Sequence, residues 1–395
     1  MRTRGGPQPV NPHSHAECTG RENAWTHLGR AVWTSGDTPF RGYTFLLLWN
    51  HPLVGAALCL GLFLVNPWAG AAALLGNAVA TAVAVYVLGV KPELTRYGLF
   101  GGNGMFVGLA LGVYLPSTPA LLGLVVPLAA LASLLTLTLF RGLSLRLQLP
   151  VLVLPFLIVG WLAAPLIRGL PIAPAFSIVD HLPLWAALES GARGFLPAPF
   201  VGFFRGLSEM LSQDSVLLGV SIFASWLPRA RVPAFAALAG FIVSWAALPS
   251  LGGPLPGSDL GVWAGTNGAL AALCLGGIFL RPTISALLYA LLGAVGATWL
   301  TVLIFPVFVR LGLPIFAAPF IVVALLLLFV SHLSGRWVNA RKSGLAPVPL
   351  AEVSVPEDFF KERVGASLRG REIFRWRRLH GMIRQVCNIC LPKVF

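Results

Sequence analysis

Two kinds of polar residue stand out in a mostly apolar chain: one glutamate and a pair of asparagines. Glu209 lies in the short segment Phe203-Phe204-Arg205-Gly206-Leu207-Ser208-Glu209, and Asn103 and Asn267 each lie in a Gly-x-Asn-Gly sequence. An ionisable residue at membrane depth is by default a candidate for solute binding. Structural roles are open as well: Glu209 can pair with Arg205, one helical turn earlier, and the two amides can tie helices together or cap helix breaks near a pore.

The composition of the whole chain requires that lipid covers its outer surface. Hydrophobic residues make up 56 % of the 395 residues and charged residues 11 %, whereas soluble domains carry roughly 25 % charged residues. The mean hydropathy is +0.81. Too few charges are available to cover a globule of this size, so the outer surface must face a bilayer.

The most informative pattern is an internal repeat. Matching residues of the two halves are separated by a constant number of residues, the same number that separates Asn103 from Asn267. Matching residues keep this register over most of each half, which is typical of gene duplication. The clearest pairs are Phe40-Arg41-Gly42 with Phe204-Arg205-Gly206, Gly101-x-Asn103-Gly104 with Gly265-x-Asn267-Gly268, and Leu149-Pro150-(x)4-Pro155-Phe156 with Leu313-Pro314-(x)4-Pro319-Phe320.

Each half repeats the same hydropathy layout. The apolar segments lie near 52–67, 68–90, 98–115, 119–140 and 149–167, and near 216–229, 232–249, 260–280, 283–305 and 313–331. Before them lie two shorter segments, near 40–49 and 204–213. Ten helical residues cover about 15 Å, half of the hydrocarbon core. These short segments are therefore predicted to be re-entrant half-helices, shielded from lipid by the surrounding protein.

Five membrane-spanning helices per half is an odd number, so the second half must enter the membrane from the opposite side. The predicted fold is an all-α integral membrane protein of two inverted repeats, each with five transmembrane helices and one re-entrant half-helix. Such folds place the solute path at the repeat interface. The basic C-terminal tail predicts that both termini are cytoplasmic. The predicted divisions are an N-terminal tail at 1–39, repeats at 40–167 and 204–331, a linker at 168–203 and a C-terminal tail at 332–395.

Several other chemistries are not supported by the residues. No phosphate-binding loop, nucleophile elbow or zinc signature is present, so neither an enzyme, a cofactor nor a metal is predicted. The net charge of +14 is attributed to tails and short loops, and no nucleic-acid partner is expected. The Asn-Pro-Ala pair of water channels and the paired histidines of ammonium channels are both missing.

At this point the ordered motifs resemble the urea transporter family over roughly residues 40–331. The first half reads Arg41-Gly42-Tyr43-Thr44-Phe45 with Asn50-His51-Pro52, then Gly101-Gly102-Asn103-Gly104, then Leu149-Pro150 and Pro155-Phe156. The second half reads Arg205-Gly206-Leu207-Ser208-Glu209, Gly265-Thr266-Asn267-Gly268, and Leu313-Pro314 with Pro319-Phe320.

This resemblance implies a homotrimer in which each subunit has its own pore, a narrow slot with ring faces above and below and a ladder of oxygens at the side. It implies that Glu209 supplies one of these oxygens and that Phe106 is a slot ring, with Leu270 at the equivalent place. The chain departs from the family where Phe45 replaces a glutamine and Leu48 a slot phenylalanine. Val153 and Ala317 replace the threonines of the ladder.

The prediction is therefore passive, channel-type transport of urea, or of a closely related small neutral amide, across a bacterial-type inner membrane. A proton-coupled secondary transporter that uses Glu209 is the alternative, and a membrane anchor or sensor whose basic tail binds a partner is a third. The predicted pore residues are Glu209, Phe45, Leu48, Phe106, Leu270, Asn103, Asn267, Val153 and Ala317.

Overall fold

The structure, a computed structural model, describes residues 38–45, 52–90, 95, 97–115, 118–167, 182–228, 230–253 and 258–333. Leu48, most of the N-terminal tail and the whole basic segment from residue 334 onward lie outside these described residues.

Over the described residues the fold is entirely helical, with no β-strand. The helices are α1 (Thr38–Thr44), α2 (Pro52–Val65), α3 (Pro67–Ala82), α4 (Leu99–Tyr114), α5 (Pro119–Leu139), α6 (Leu154–Ile167), α7 (Pro183–Phe195), α8 (Ala198–Glu209), α9 (Val216–Trp226), α10 (Arg231–Ala247), α11 (Asp259–Leu273), α12 (Ile284–Leu311) and α13 (Ala318–Leu333). Single π-helical segments extend α3, α5 and α11, and a 3₁₀ turn follows α10.

The predicted apolar segments coincide with α2–α6 and α9–α13. Four of these helices, with their π-helical extensions, are long and apolar enough to cross a bilayer: Pro67–Val87, Pro119–Arg146, Asp259–Ile278 and Ile284–Leu311. The other six are apolar but only 10–17 residues long. The chain is therefore an all-helical protein with the apolar helices of a multi-pass membrane protein.

Short polar residues at the helix starts explain several of the boundaries. The Asn66 side chain accepts a hydrogen bond from the Ala69 amide at 3.0 Å at the start of α3, where Pro67 occupies the first helical position. Thr283 accepts from the Ala286 amide at 3.1 Å at the start of α12. Each side chain satisfies an amide that the first helical turn leaves without a partner.

Helices α4 and α11 form the centre of the molecule. Nearly every residue of α4 is buried. In the most apolar 18-residue stretch of α11 and its π-helical extension, 94 % is buried. The corresponding stretches of the long helices α5 and α12 are only 33 % and 28 % buried. Their exposed leucine, valine and tryptophan side chains suit a surface that faces lipid tails rather than water.

The two halves pack their helices in the same pairwise arrangement. Helix α1 packs on α2 and α4, and α8 packs on α9 and α11, while α3 lies along α4 as α10 lies along α11. At the first of these contacts a Cβ on Gly55 would collide with the carbonyl oxygen of Phe40, and one on Gly219 with that of Phe204. Only glycine permits so close an approach of two backbones.

The two short segments that were predicted to be half-helices form helices with bounds that differ from the predicted ones. The first, α1, ends at Thr44 and the second, α8, begins at Ala198 and ends at Glu209. The predicted start at 204 was thus too late, because Phe200 and Val201 are apolar residues of α8 that were assigned to the linker. Proline in the first helical turn, here Pro199, favours initiation at this place.

A helix is also present in the inter-repeat segment. Helix α7 has no buried residue, and it exposes Leu184, Leu188 and Phe195 by 73 %, 52 % and 87 %. An amphipathic helix with this composition is suited to the membrane interface.

A candidate solute cavity between the two halves

The candidate site is a small cavity of about 50 Å³ that is partly open at one side. The first half contributes α4 and the start of α6, and the second half contributes α11, the end of α8 and the loop before α13. The lining residues are Phe106, Leu109, Ala110, Val153, Phe156, Glu209, Met210, Ser212, Trp263, Thr266, Asn267, Leu270, Phe316 and Ala317.

Asn103 ties the centre of the first half together. Its Nδ2 donates to the carbonyl oxygens of Leu99 at 2.9 Å and Leu152 at 3.3 Å. Its Oδ1 accepts from the amide of Phe156 at 3.1 Å. The side chain is fully buried, and these three bonds join α4 to the turn that starts α6.

Asn267 makes the same set of bonds in the second half. Its Nδ2 donates to the carbonyl oxygens of Trp263 at 3.0 Å and Phe316 at 3.3 Å. Its Oδ1 accepts from the Phe320 amide at 3.1 Å. Each of these partners is the repeat equivalent of a partner of Asn103. The register found in the sequence therefore also relates the hydrogen bonds of the two halves.

One of the two carbonyls that each amide binds belongs to a residue in an unusual backbone conformation. Leu152 has φ = 53° and Phe316 has φ = 45°, both in the left-handed region that is unfavourable for bulky side chains. The asparagine bonds hold these carbonyls at the ends of the segments before α6 and α13. The two asparagines therefore position backbone, and their hydrogen-bonding groups are occupied by the protein itself.

Aromatic rings from both halves meet in the cavity. The Phe156 and Phe316 ring centroids are 4.9 Å apart, and Phe106 lies 5.5 Å from Phe156. Phe156 and Phe106 come from the first half and Phe316 from the second. A further inter-half contact lies where Trp161 Nε1 donates to the Pro314 carbonyl at 3.0 Å.

Glu209 lies at one end of the cavity, at the C-terminal end of α8. Its side chain is 11 % exposed, and its Oε1 is 4.0 Å from Nη2 of Arg205. Its Oε2 is buried and has no hydrogen-bond partner. Glu209 therefore combines the two roles considered from the sequence. It pairs with Arg205 over a long distance, and its carboxylate also lines the cavity.

The contact between Arg205 and Glu209 is long because two other carboxylates bind Arg205 more closely. Its Nε donates to Asp214 at 2.6 Å and its Nη2 to Asp259 at 3.2 Å. Asp214 also accepts from Arg193 of α7 at 3.3 Å. The ion-pair network therefore runs from the inter-repeat helix to the mouth of the cavity.

Glu189 joins the same network to the start of α9. Its carboxylate accepts from Arg193 at 3.0 Å, from the Ser215 hydroxyl at 3.0 Å, and from the amides of Val216 at 2.7 Å and Leu217 at 3.1 Å. A carboxylate at a helix N-terminus satisfies free amides and is favoured by the helix dipole. This cap holds α7 against the loop that follows Glu209.

The equivalent end of the first half is closed by an apolar side chain. Phe45 is 7 % exposed, and a Cβ on Gly102 would lie 2.9 Å from its ring. Phe45 does not line the cavity. The repeat counterpart of Gly102 is Thr266, which does line it.

The structure brings together six of the nine predicted pore residues: Glu209, Phe106, Leu270, Asn267, Val153 and Ala317. Asn103 lies behind the lining and Phe45 packs against α4, while Leu48 lies outside the described residues. Phe203 and Phe204 of α8 pack among Phe223 and neighbouring rings rather than around the cavity.

Sequence reasoning did not place Phe156, Phe316, Trp263 and Thr266 in the lining. Phe156 was visible in the repeated Pro-Phe pair and Thr266 in Gly-Thr-Asn-Gly, so the motifs contained a signal for both. No signal marked Phe316, whose orientation depends on its left-handed backbone.

Comparison with known proteins identifies the family of the chain. The model of the family described as "Urea transporter" matches residues 37–332, which include all the described helices except the last residue of α13. The chain belongs to the urea transporter family. Two relatives named "Urea transporter 1", from Ovis aries and Capra hircus, are each 24 % identical over 333 residues, covering 82 % of this chain and 82 % of each relative.

Family membership makes this chain a membrane transporter rather than an enzyme. The matched region contains the repeated motifs, both asparagines and the cavity between the two halves. The cavity is therefore the candidate solute site of a urea transporter family member.

Proposed function

We propose that the chain is a passive, channel-type pore for urea or a closely related small neutral amide. The observation that carries the proposal is the cavity formed jointly by the two halves, within the segment that matches the urea transporter family. Rings from both halves flank it, and a carboxylate lies at one end. A small planar solute can lie against these rings, where polar atoms at the edge replace its lost water.

The architecture that supports this function is a pair of inverted repeats. We assign the repeats to 40–167 and 204–331, the linker to 168–203, and the tails to 1–39 and 332–395. The matching bonds of Asn103 and Asn267 and the matching helix pairs support two copies of one unit. An odd number of spans per copy orients the copies oppositely, with the path at their interface.

The short helices are compatible with this arrangement. Helices α6 and α13 each follow an irregular segment that carries a left-handed residue, Leu152 or Phe316. Non-helical backbone at membrane depth is tolerated only where protein buries it or where it lines a cavity. Leu152 packs against the core and Phe316 lines the cavity, so both positions meet that requirement.

Side-chain chemistry makes the two ends of the path unequal. Glu209 supplies oxygen atoms at the second-half end, Phe45 supplies none at the first-half end, and Val153 and Ala317 supply methyl groups between them. In the middle of the path, the oxygen and N–H groups of a solute therefore depend on backbone groups for their hydrogen bonds. Urea flux is expected to be lower than in a pore that has hydroxyls at these two positions.

The cellular setting follows from the charge pattern. The protein is placed in a bacterial-type inner membrane with both termini in the cytoplasm, because basic flanking segments remain on that side. Homotrimer formation, with one pore in each subunit, is proposed from the family resemblance. The exposed apolar faces of α5 and α12 provide surface for lipid and for neighbouring subunits.

Stopped-flow urea uptake into proteoliposomes tests the proposal directly. Saturable urea flux without any ion gradient is expected, with acetamide as a competitor and with ammonium and glycerol as solutes that compete less. Folded protein in vesicles that show no urea flux would contradict the urea assignment and leave the architecture to be tested separately.

The variant Glu209→Gln distinguishes the channel from a proton-coupled transporter. Glutamine keeps a carbonyl oxygen that accepts hydrogen bonds but cannot carry a proton at this site. A channel therefore retains most of its urea flux in this variant. Loss of flux, together with dependence of the wild-type flux on a pH gradient, would support coupled transport instead.

A further inference from the structure

The Glu209 end of the cavity has an excess of hydrogen-bond acceptors and negative charge. Glu209 Oε2 is buried without a partner, and the only cation within 4.0 Å in the described residues, Arg205, is at the limit of an ion pair. A buried carboxylate without a close partner is costly, so it favours a proton or a cationic ligand.

The surrounding network does not supply the missing cation. Within it, the guanidinium groups of Arg193 and Arg205 face four carboxylates, those of Glu189, Glu209, Asp214 and Asp259. With all of these groups ionised, the described residues of this network leave two negative charges uncompensated. Asp214 and Asp259 hold Arg205 at 2.6 and 3.2 Å, which keeps its guanidinium from moving onto Glu209.

Hydrogen-bond donors are scarce among the lining side chains. Both polar ends of Asn267 are occupied by backbone groups, and the Thr266 hydroxyl donates to the Val262 carbonyl at 2.8 Å. Ser212 and Trp263 are the remaining polar side chains of the described lining. A ligand that only donates hydrogen bonds is therefore a better match to the Glu209 end than a ligand that also needs several hydrogen-bond donors from the protein.

Ring faces complete the site. Phe106, Phe156, Phe316 and Trp263 all line the cavity, and aromatic faces attract cations, most strongly where water is excluded. A planar cation can lie against these rings while its N–H groups point at a carboxylate, as arginine side chains do.

We propose that the Glu209 end of the cavity binds a small planar cation of the guanidinium class. Guanidinium has the planar shape of urea but carries only N–H donors and a positive charge. It matches a cavity with ring walls and one buried carboxylate. The inference rests on the proposed function only in treating this cavity as the solute path, because the binding itself is measurable without transport.

The test is calorimetric titration of the purified full-length chain with millimolar guanidinium chloride, far below the molar concentrations that unfold proteins. Sodium chloride at equal ionic strength controls for salt. Saturable heat with guanidinium and none with sodium is expected. In Glu209→Gln the affinity is expected to fall about tenfold or more, the size of a lost hydrogen bond to a charged group.

Asp259→Asn is the matched control. It removes one carboxylate of the same network, but Asp259 is 86 % exposed and is not part of the lining. The variant also leaves Asp214 in place, the closer partner that holds Arg205 away from Glu209. Its affinity is expected to stay within about threefold of wild type, as exposed charges contribute little. An equal loss in both variants would overturn the proposal in favour of diffuse charge attraction, and so would unchanged binding in Glu209→Gln.

Urea flux measured on the same preparations separates this inference from the proposed function. Urea flux with no guanidinium binding overturns the cation site alone, whereas guanidinium binding without urea flux supports it and overturns the urea assignment. If both hold, guanidinium should inhibit urea uptake in wild type, and the fractional inhibition should be much smaller in Glu209→Gln, whatever the basal urea flux of that variant. A size-exclusion profile and a thermal unfolding midpoint that match wild type show that the variant is folded.

Discussion

The residues at the ends of α1 and α8 differ in chemistry, although the two helices pack against equivalent neighbours. In the first half, α1 is followed by Phe45, which is buried against Gly102. In the second half, α8 ends at Glu209, which lines the cavity together with Thr266. Phe45 and Glu209 occupy equivalent positions of the repeat, as do Gly102 and Thr266, so the two halves differ at both of these paired positions.

This difference shows that the packing and the chemistry of the two halves are determined separately. Glycines and asparagines, which set how closely backbones approach and where loops are tied, are kept at both places. The side chains at the ends of the path differ, since Phe45 packs against α4 whereas Glu209 lines the cavity. A pore can therefore become chemically asymmetric while its scaffold remains nearly symmetric.

The largest effect is expected when the second half is made to resemble the first. In Glu209→Phe a ring replaces the carboxylate at the end of the cavity, which removes an acceptor and fills space. Urea flux in proteoliposomes should fall about tenfold or more. Glu209→Gln is the control that keeps the size and the acceptor, and it should keep most of the flux. Equal flux in Glu209→Phe would show that solute does not pass this carboxylate.

Removing the asparagines tests the part of the comparison that is symmetric. Asn103→Ala and Asn267→Ala each lose three hydrogen bonds and leave a buried amide unpaired. Each should lower the free energy of unfolding in detergent by roughly 2–4 kcal/mol, and by similar amounts.

Asn66→Ala is the control for these two variants, because it loses only one capping bond and should cost about 1 kcal/mol. A cost at Asn103 that is far from the cost at Asn267 would contradict the equivalence of the two sites.

Restoring hydroxyl groups along the path should have a smaller effect in the opposite direction. The double variant Val153→Thr with Ala317→Thr adds one hydroxyl to each half of the lining. Urea uptake is expected to rise about two- to fivefold, the effect of one modest hydrogen bond. Val159→Thr, a fully buried position outside the lining, is the control and should not increase flux.

The smallest effect is expected at the contact between the halves. Trp161→Phe removes the donor to the Pro314 carbonyl but keeps a ring near Phe308, whose centroid lies 5.6 Å away. The free energy of unfolding should fall by about 0.5–1.5 kcal/mol. Trp299→Phe, at a half-exposed position, should change it by less than about 0.5 kcal/mol. No difference between the two variants would show that this bond does not stabilise the contact.

Much of the helical layout was predictable because it depends on local composition. Apolar segments of the right length, separated by Pro, Gly and Asn, correspond to α2–α6 and α9–α13. The constant register of the repeat also predicted which residues make equivalent contacts, as the bonds of Asn103 and Asn267 show. The start of α8 was placed too late, since nothing in the apolar pattern separates its first turn from the linker.

The lining was only partly predictable, because it depends on side-chain direction. Phe203 and Phe156 are both phenylalanines near helix ends, yet Phe203 packs among other rings and Phe156 lines the cavity. Phe316 reaches the cavity from a left-handed backbone position. Such positions are stabilised by long-range bonds, here from Asn267, which a local pattern does not specify.

The sequence by itself determined an apolar helical chain with two matching halves, because hydropathy and residue spacing are properties of the chain alone. It also identified Glu209 as the ionisable residue most in need of an explanation. Only the tertiary structure decided that Arg205 is held away from Glu209 by Asp214 and Asp259, and that Phe45 is withdrawn from the cavity. Those outcomes depend on contacts between distant segments, which compete for the same guanidinium and the same space.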